Sequence, residues 1–332
     1  LSIHPIVAVE AAMQFGLRVP CYRKWCRRRE TTAIAQLAED VGFDSVWVQD
    51  HVVAPLGPPD EIRVRGLDSW MSASKAPTSV TLFQYYAGDD WWMDPFAVWG
   101  FLAAITSRVR LASDIVVVPY RNPLIQAKMI GTLDVLSEGR MVVGTGTGHV
   151  PAEAEVLGVD FAARARIHDE YLAIMKGLLS AEEFSFDGEF YRFGPVRTLI
   201  RTVQEPHPPF YVGGHGKRAI RRAAEQGDGW LPSMVDPDGL TRGIDELHAA
   251  CEAIGRAKPP VIALSLPSAF RFPAPGYQPR QSTTSPDDAI SLLRRYERLG
   301  VEHVSLAFPM PTADIYLEQA TFFASEVLPA FR

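Results

Sequence analysis

Arg108–His149 reads RVRLASDIVVVPYRNPLIQAKMIGTLDVLSEGRMVVGTGTGH. Two β-branched runs, Val109–Val118 and Met141–Val143, flank one helical pattern. Asn122 is placed to cap that helix, and Pro123 suits its first turn. Leu124, Ile125, Met129, Leu133 and Leu136 recur at helical spacing and are expected to face one side. A strand–helix–strand unit of this kind is a parallel crossover, and such crossovers are right-handed. The second strand runs into Gly144-Thr145-Gly146-Thr147-Gly148. Glycines at the carboxyl end of a parallel strand let backbone approach a flat or anionic ligand.

Working outward, the same alternation of strand and helix repeats. Met13–Val19 reads as a strand ended by Pro20, and a helix with Ile34, Leu37, Ala38 and Val41 on one face runs from Thr31 to Gly42. Phe43–Gln49 is a second strand, and Asp94-Pro95 opens the next helix with cap and first-turn residues. Pro209–Gly213, Gly229–Pro232, Pro260–Leu266 and Val301–Phe308 complete the strands. Eight strands, each followed by a helix, predict a (β/α)8 TIM barrel of the α/β class. Insertions are expected after strands two, four and seven. The segment after strand two, Val53–Met93, is rich in aromatics. Tyr85, Tyr86, Trp91 and Trp92 are read as a substrate-pocket wall, with a subunit interface as the other use of such residues.

Composition narrows the classes. The chain has 332 residues and a net charge of −6, which leaves no electrostatic footprint for nucleic acid. No apolar run is long enough to span a bilayer, and the first residues carry no basic leader region, so a cytoplasmic protein is expected. Cys21, Cys26 and Cys251 are too few and scattered for a disulfide scaffold; Cys21 and Cys26 are read as buried thiols rather than a redox pair. The histidines show no helical metal-ligand spacing, so no metal is expected. Gly144–Gly148 lacks the spacing of a dinucleotide fingerprint. Arg23, Lys24, Arg27, Arg28 and Arg29 read as a solvated helix start; the other reading is a face for an acidic ligand.

Two further features carry chemistry. Asp50-His51 stands where strand two delivers it, at the end where a barrel keeps its active site, and a histidine there titrates near neutral pH. Gly213-Gly214-His215-Gly216-Lys217 leads into a helix, whose free N–H groups favour phosphate.

The opening stretch is similar to the bacterial-luciferase-like oxidoreductases, in particular the branch that uses the deazaflavin coenzyme F420. The resemblance runs from about Met13 to about Pro232. It includes LAEDVGFDSVWVQDHV (Leu37–Val52), RARIHDEYLAIMKGLL (Arg164–Leu179), FDGEFYRF (Phe186–Phe193) and PHPPFYVGGHGKRAIRRAAEQGDGWLP (Pro206–Pro232). Residues 1–12 have no match and are taken as an extension before a single domain over 13–332.

The resemblance implies roles for individual residues. Asp50 contacts the coenzyme and His51 sits near the reacting ring carbon. Ser113, Asp114 and Ile115 occupy a strand that backs the ring, with a cis non-prolyl bond between Asp114 and Ile115. Relatives often have glycine where this chain has Asp114. An ionised carboxylate there would repel an anionic ring unless its side chain points away. Thr147 and Gly148 contact the coenzyme, and Val212, Gly213, Gly214, Gly216 and Lys217 form its phosphate end. His149 stands where related sugar-phosphate dehydrogenases have a glutamate base; it either replaces the base or lines the pocket. Phe184–Phe193 is a family hairpin with an Asp187-Gly188 turn. The implied activity is hydride transfer between the deazaflavin and a small, partly apolar organic substrate, as a reductase, with His51 moving the proton. An FMN-dependent monooxygenase is the alternative, since FMN carries the same ribityl phosphate. A non-catalytic ligand-binding homologue is a third reading. Relatives of this kind are commonly homodimers.

Overall fold

Parallel pairing runs unbroken around eight positions in a computed structural model that describes residues 12–54, 91–267, 269–277 and 283–332. The strands are β1 (Gln14–Arg18), β2 (Ser45–Val48), β3 (Arg110–Ser113) continued by β4 (Val116–Val117), and β5 (Met141–Gly146). An antiparallel hairpin follows, β6 (Glu183–Asp187) and β7 (Arg192–Arg197). Then come β8 (Phe210–Gly213), β9 (Gly229–Leu231), β10 (Val261–Pro267) and β11 (Val301–Ala307). β1 pairs with both β2 and β11, and β3 with both β2 and β5, so the ring closes and leaves no sheet edge. This is the expected (β/α)8 barrel. Tyr85 and Tyr86 lie outside the described residues.

Helices return the chain between strands: α1 (Arg28–Asp40), α2 (Pro95–Ile105), α3 (Pro123–Leu136), α4 (Pro151–Val156), α5 (Arg164–Ser180), α6 (Lys217–Gln226), α7 (Pro237–Ala253), α8 (Pro286–Arg298) and α9 (Ala313–Glu326). Local chemistry fixes their starts. Asp94 accepts from the N–H groups of Phe96 and Ala97, and Asn122 from those of Leu124 and Ile125, each with proline in the first turn. Caps of this kind contribute about 1 kcal/mol apiece. Among the described residues no helix is long and apolar enough to cross a membrane.

Three details differ from the sequence expectation. The third strand is split after Ser113, and the Asp114–Ile115 peptide at the break is cis, the position the resemblance implied. The hairpin turn spans Gly188–Tyr191 rather than two residues, because Glu170 of α5 accepts from the N–H groups of Glu189, Phe190 and Tyr191. The buried face of α3 is only partly the apolar stripe, with Leu124 and Met129 half-buried against the core. Leu133 is buried, but Ile125 and Leu136 are 59% and 63% exposed. The helix instead turns Gln126, Ala127, Ile130, Gly131 and Asp134 inward. Gln126 donates to the carbonyls of Val118 and Arg121, and Asp134 accepts from the N–H groups of Val203 and Gln204. Loop carbonyls and amides that need partners outweigh the apolar count there.

The core has two layers. One fills the space between strands and helices; the other, with Trp47, Ala112, Val142, Tyr211, Leu231 and Ala263, fills the barrel. His303 is buried in the inner layer, edge-on to Trp47. Trp47 Nε1 donates to Ser45 Oγ at 2.7 Å, and Ser45 in turn meets His303 Nε2 at 2.7 Å. A hydroxyl that accepts from indole still has its own hydrogen and a second lone pair for His303 Nε2, so Ser45 links the two rings.

Burial, with a smaller contribution from Arg110, pushes the His303 pKa down to about 3 from an ordinary 6.5. The folded value is depressed, so the stability linked to His303 is complete above the unfolded pKa. It is lost as pH falls through the window between the two values. The slope from this group approaches about 1.4 kcal/mol per pH unit. Urea unfolding from about pH 7 to about pH 5 should show a shallower decline for His303→Gln than for the wild type; equal slopes refute it.

Candidate active site

β2 delivers Asp50 and His51 to the rim, and the two side chains do different things. Both oxygens of Asp50 are engaged by protein donors. Oδ2 accepts from the Val117 N–H at 2.9 Å and from Arg121 Nη1 at 2.6 Å, and Oδ1 from Arg121 Nη2 at 2.8 Å. Arg121 also reaches Asp94 at the start of α2. Asp50 therefore ties the end of β2 to β4 and to two helix starts.

His51 Nδ1 lies 2.8 Å from Oε2 of Glu153, a residue in the first turn of α4. Glu153 is fully buried. Its Oε1 accepts from the N–H groups of Val52 at 2.7 Å and Val53 at 3.3 Å, and Tyr120 donates to Oε2 at 3.3 Å. Burial alone would raise the Glu153 pKa. The hydrogen bond and charge of His51 and the two amides outweigh it and hold the carboxyl below its usual range.

His149, at the end of β5, meets His51 edge-on with ring centroids 5.5 Å apart. Its ring is exposed at the surface yet crowded by protein atoms. Desolvation, and then His51, push its pKa down to about 4, so it is neutral near pH 7. Trp92 also meets His51 edge-on, at 4.6 Å, and stacks on Tyr22 at 4.9 Å. Trp91, by contrast, is exposed and lies under the Arg27 guanidinium.

Asp114 turns into the barrel. Its Oδ2 accepts from Arg18 Nε at 2.6 Å, Ser305 at 2.8 Å and Ser265 at 3.1 Å, while Oδ1 has no donor among the described residues. Burial raises the Asp114 pKa, and Arg18 and the serines oppose the rise. The side chain thus points away from the rim, one of the two arrangements a carboxylate at this position permits. Ile115 takes the rim side: a Cβ on either Gly146 or Gly213 would overlap its side chain. Ser113 is buried and donates to the Gly144 carbonyl at 2.9 Å.

The glycine turn after β8 leaves a helix start open. Gly214 has a φ of +108°, a conformation that favours glycine, and Gly216 is the N-cap of α6 with no side chain capping it. Elsewhere Asp94, Asn122, Asp236, Ser285 and Thr312 cap their own helices. Val212 is buried beneath the turn, and Lys217 is exposed at the first position of α6. Just past the end of the neighbouring strand β5, Gly148 has a φ of +78° and its carbonyl accepts from Arg164 Nε at 3.1 Å, beside the half-buried Thr147.

A family model described as luciferase-like monooxygenase matches residues 23–271. The chain belongs to the luciferase-like monooxygenase family. An uncharacterized protein of Mycobacterium tuberculosis is 31% identical over 297 residues, 85% of this chain and 88% of its own. Two solved structures share the fold. Monooxygenase RslO1 from Streptomyces bottropensis has a TM-score of 0.76 at 20% identity, over 96% of this chain and 100% of that one. An F420-dependent secondary alcohol dehydrogenase in complex with an F420–acetone adduct has a TM-score of 0.74 at 19% identity, over 97% and 99%.

As a luciferase-like enzyme, the chain gathers His51, His149 and Trp92 at one place, with Ile115 between the rim glycines of β5 and β8. Sequence reading missed Glu153, Tyr120, Arg121 and Arg18. Glu153 stands third in Pro151-Ala152-Glu153, where an acid reads as an ordinary first-turn residue. Arg18 at the end of β1 reads as solvent-facing, and nothing local announces Asp114 as its partner. Cys21, Cys26 and Cys251 are free and buried, and burial pushes the first two thiols up to about 11 and about 12. Among the described residues no cluster of His, Cys, Asp and Glu is placed to hold a metal.

Removing one partner of a buried ion pair strands the other. Arg18→Met should lower stability by about 3–5 kcal/mol. The double variant Arg18→Met/Asp114→Asn should recover most of that loss. Urea midpoints of the three proteins decide, and an Arg18→Met midpoint equal to wild type refutes the account.

Proposed function

We propose that the protein is a coenzyme F420-dependent oxidoreductase. It transfers hydride between the deazaflavin and a small, partly apolar organic substrate, as a reductase. The observation that carries this reading is His51, oriented by a buried carboxylate at the rim and flanked by a neutral His149 and by Trp92. The uncapped start of α6 and the Gly214 turn fit a ribityl phosphate, and Ile115 offers an apolar seat for a planar ring.

When bound, the deazaflavin supplies a carbon that gives or takes hydride and does not readily activate oxygen. The chain does the rest. The N–H groups at the start of α6, with Lys217, hold the phosphate. Ile115 supports the ring, and the Trp92 face excludes water from one side of the substrate. His51 gives a proton at Nε2 during reduction and regains it from solvent. His149, neutral near pH 7, lines the pocket without placing a second positive charge beside His51.

An FMN-dependent monooxygenase is the second reading. The glycine turn suits FMN equally, and the likeness to monooxygenase RslO1 favours it. Titrating apo-protein with F420 and with FMN separates the two. Tight binding selective for F420 is expected; selective FMN binding with oxygen consumption by the reduced complex overturns it. His51→Ala should lower turnover about 100-fold or more and leave coenzyme affinity unchanged. Undiminished turnover removes His51 as the proton carrier.

We also propose a homodimer. Ile125, Val135 and Leu136 are exposed on α3, and Leu199 and Val203 are exposed on the segment crossing it. That segment is held against α3 by Lys128 at the Leu199 carbonyl and by Asp134 at the Val203 N–H, so exposed apolar side chains of both lie in this region. Sedimentation should give twice the chain mass for wild type and a shift toward monomer for Leu136→Asp; a monomeric wild type refutes it.

A further inference from the structure

Resting on the reading of His51 as proton carrier, we propose that Glu153 is a positioning residue. It holds His51 as the Nδ1–H tautomer, so that protons are exchanged at Nε2, and it stabilises the imidazolium.

Each atom around Glu153 constrains the others. The Val52 and Val53 amides are donors only, so Oε1 is an acceptor. The carboxyl is ionised at neutral pH and has no proton to give. The hydrogen in the 2.8 Å contact between Oε2 and His51 Nδ1 therefore belongs to the imidazole. With Nδ1 protonated, a neutral His51 has its lone pair at Nε2. Tyr120, on the turn after β4, donates to Oε2 and fixes the carboxylate from another side. The carboxylate is fully buried, so water does not screen its pull on the ring.

Other charges near this pair come from several elements. His149, at the end of β5, is neutral near pH 7. Arg164 of α5 acts on both His149 and Tyr120, and Asp50, neutralised by Arg121, acts on Tyr120. Among these groups Glu153 alone is hydrogen-bonded to a ring nitrogen of His51.

A purely structural role predicts a different outcome from a positioning one. Were Glu153 only an anchor for the backbone of Val52 and Val53, Glu153→Gln would be silent, because an amide oxygen accepts from both N–H groups. The Gln amide nitrogen would then face His51 Nδ1 as a donor. That forces Nδ1 to accept and moves the neutral ring's hydrogen to Nε2.

The experiment is long-range proton–nitrogen NMR on histidine-labelled apo-protein, with the His51 signals assigned by their loss in His51→Asn. Wild type should show a protonated Nδ1 and a bare Nε2 at neutral pH, and Glu153→Gln the reverse. With coenzyme and substrate, Glu153→Gln should lower turnover about 10–100-fold. Losing the buried carboxylate takes an opposite charge away from the proton carrier, so the corresponding limb of kcat/KM should move to lower pH. A wild-type spectrum with the hydrogen on Nε2 overturns the proposal, and this holds even where Glu153→Gln fails to fold. A variant with unmoved tautomer and unmoved pH limb overturns it too. If the tautomer inverts while neither His51→Ala nor Glu153→Gln alters turnover, the geometry stands and the proton-carrier reading beneath it falls.

Discussion

Asp114 brings a carboxylate into a closed barrel where its side chain is almost wholly shielded from solvent, and Arg18 reaches across from β1 to meet it. Desolvating two such charges costs several kcal/mol each, so the pair persists only because its geometry is good and Ser265 and Ser305 add hydrogen bonds. These partners come from β1, β10 and β11, the far side of the ring from β5. Asp114 is drawn that way, while Ile115, beyond the break in the strand, lies against the glycines of β5 and β8. The ion pair and the apolar side chain at the rim thus occupy neighbouring positions with different partners. Had Asp114 faced outward, a negative charge would stand where a planar anion-forming ring is to lie.

The barrel itself was legible because its signals are local. Asn122-Pro123, Asp94-Pro95 and Ser285-Pro286 start helices by capping the first free N–H groups, and each does so in the structure. The glycine runs were legible for the same reason, since a positive φ at Gly148 or Gly214 is a demand of the backbone itself. The cis bond at Asp114–Ile115 came from family resemblance rather than from periodicity. What stayed hidden depends on partners far away in the chain. Glu153 and His51 are separated by 102 positions, and Arg18 and Asp114 by 96. Helical spacing also misled at α3, where an apolar count cannot know that Gln126 and Asp134 are wanted inside as hydrogen-bonding partners.

Charge at the rim is sorted rather than pooled. Asp50 is neutralised by Arg121 and Asp114 by Arg18, so neither carboxylate competes for His51. Glu153 is left to act on it. Crowding by protein atoms, and then the neighbouring His51 ring 5.5 Å away, keep His149 uncharged near pH 7. Two adjacent histidines of one residue type therefore have separate tasks. One is paired with a buried carboxylate and suited to carry a proton, and the other is suited to stay neutral.

That division bears on the choice between hydride transfer and oxygenation more than the phosphate turn does. A helix start with free N–H groups accepts any ribityl phosphate and carries no information about the ring above it. Hydride transfer to an unsaturated bond leaves a developing anion on the substrate, and one proton must reach it from a group whose donor atom is fixed in advance. A histidine with Nδ1 bonded to a buried, ionised glutamate meets that requirement, because its neutral form then carries its lone pair at Nε2. The position of a single hydrogen on His51 thus links a fully buried carboxylate to the proposed class of reaction.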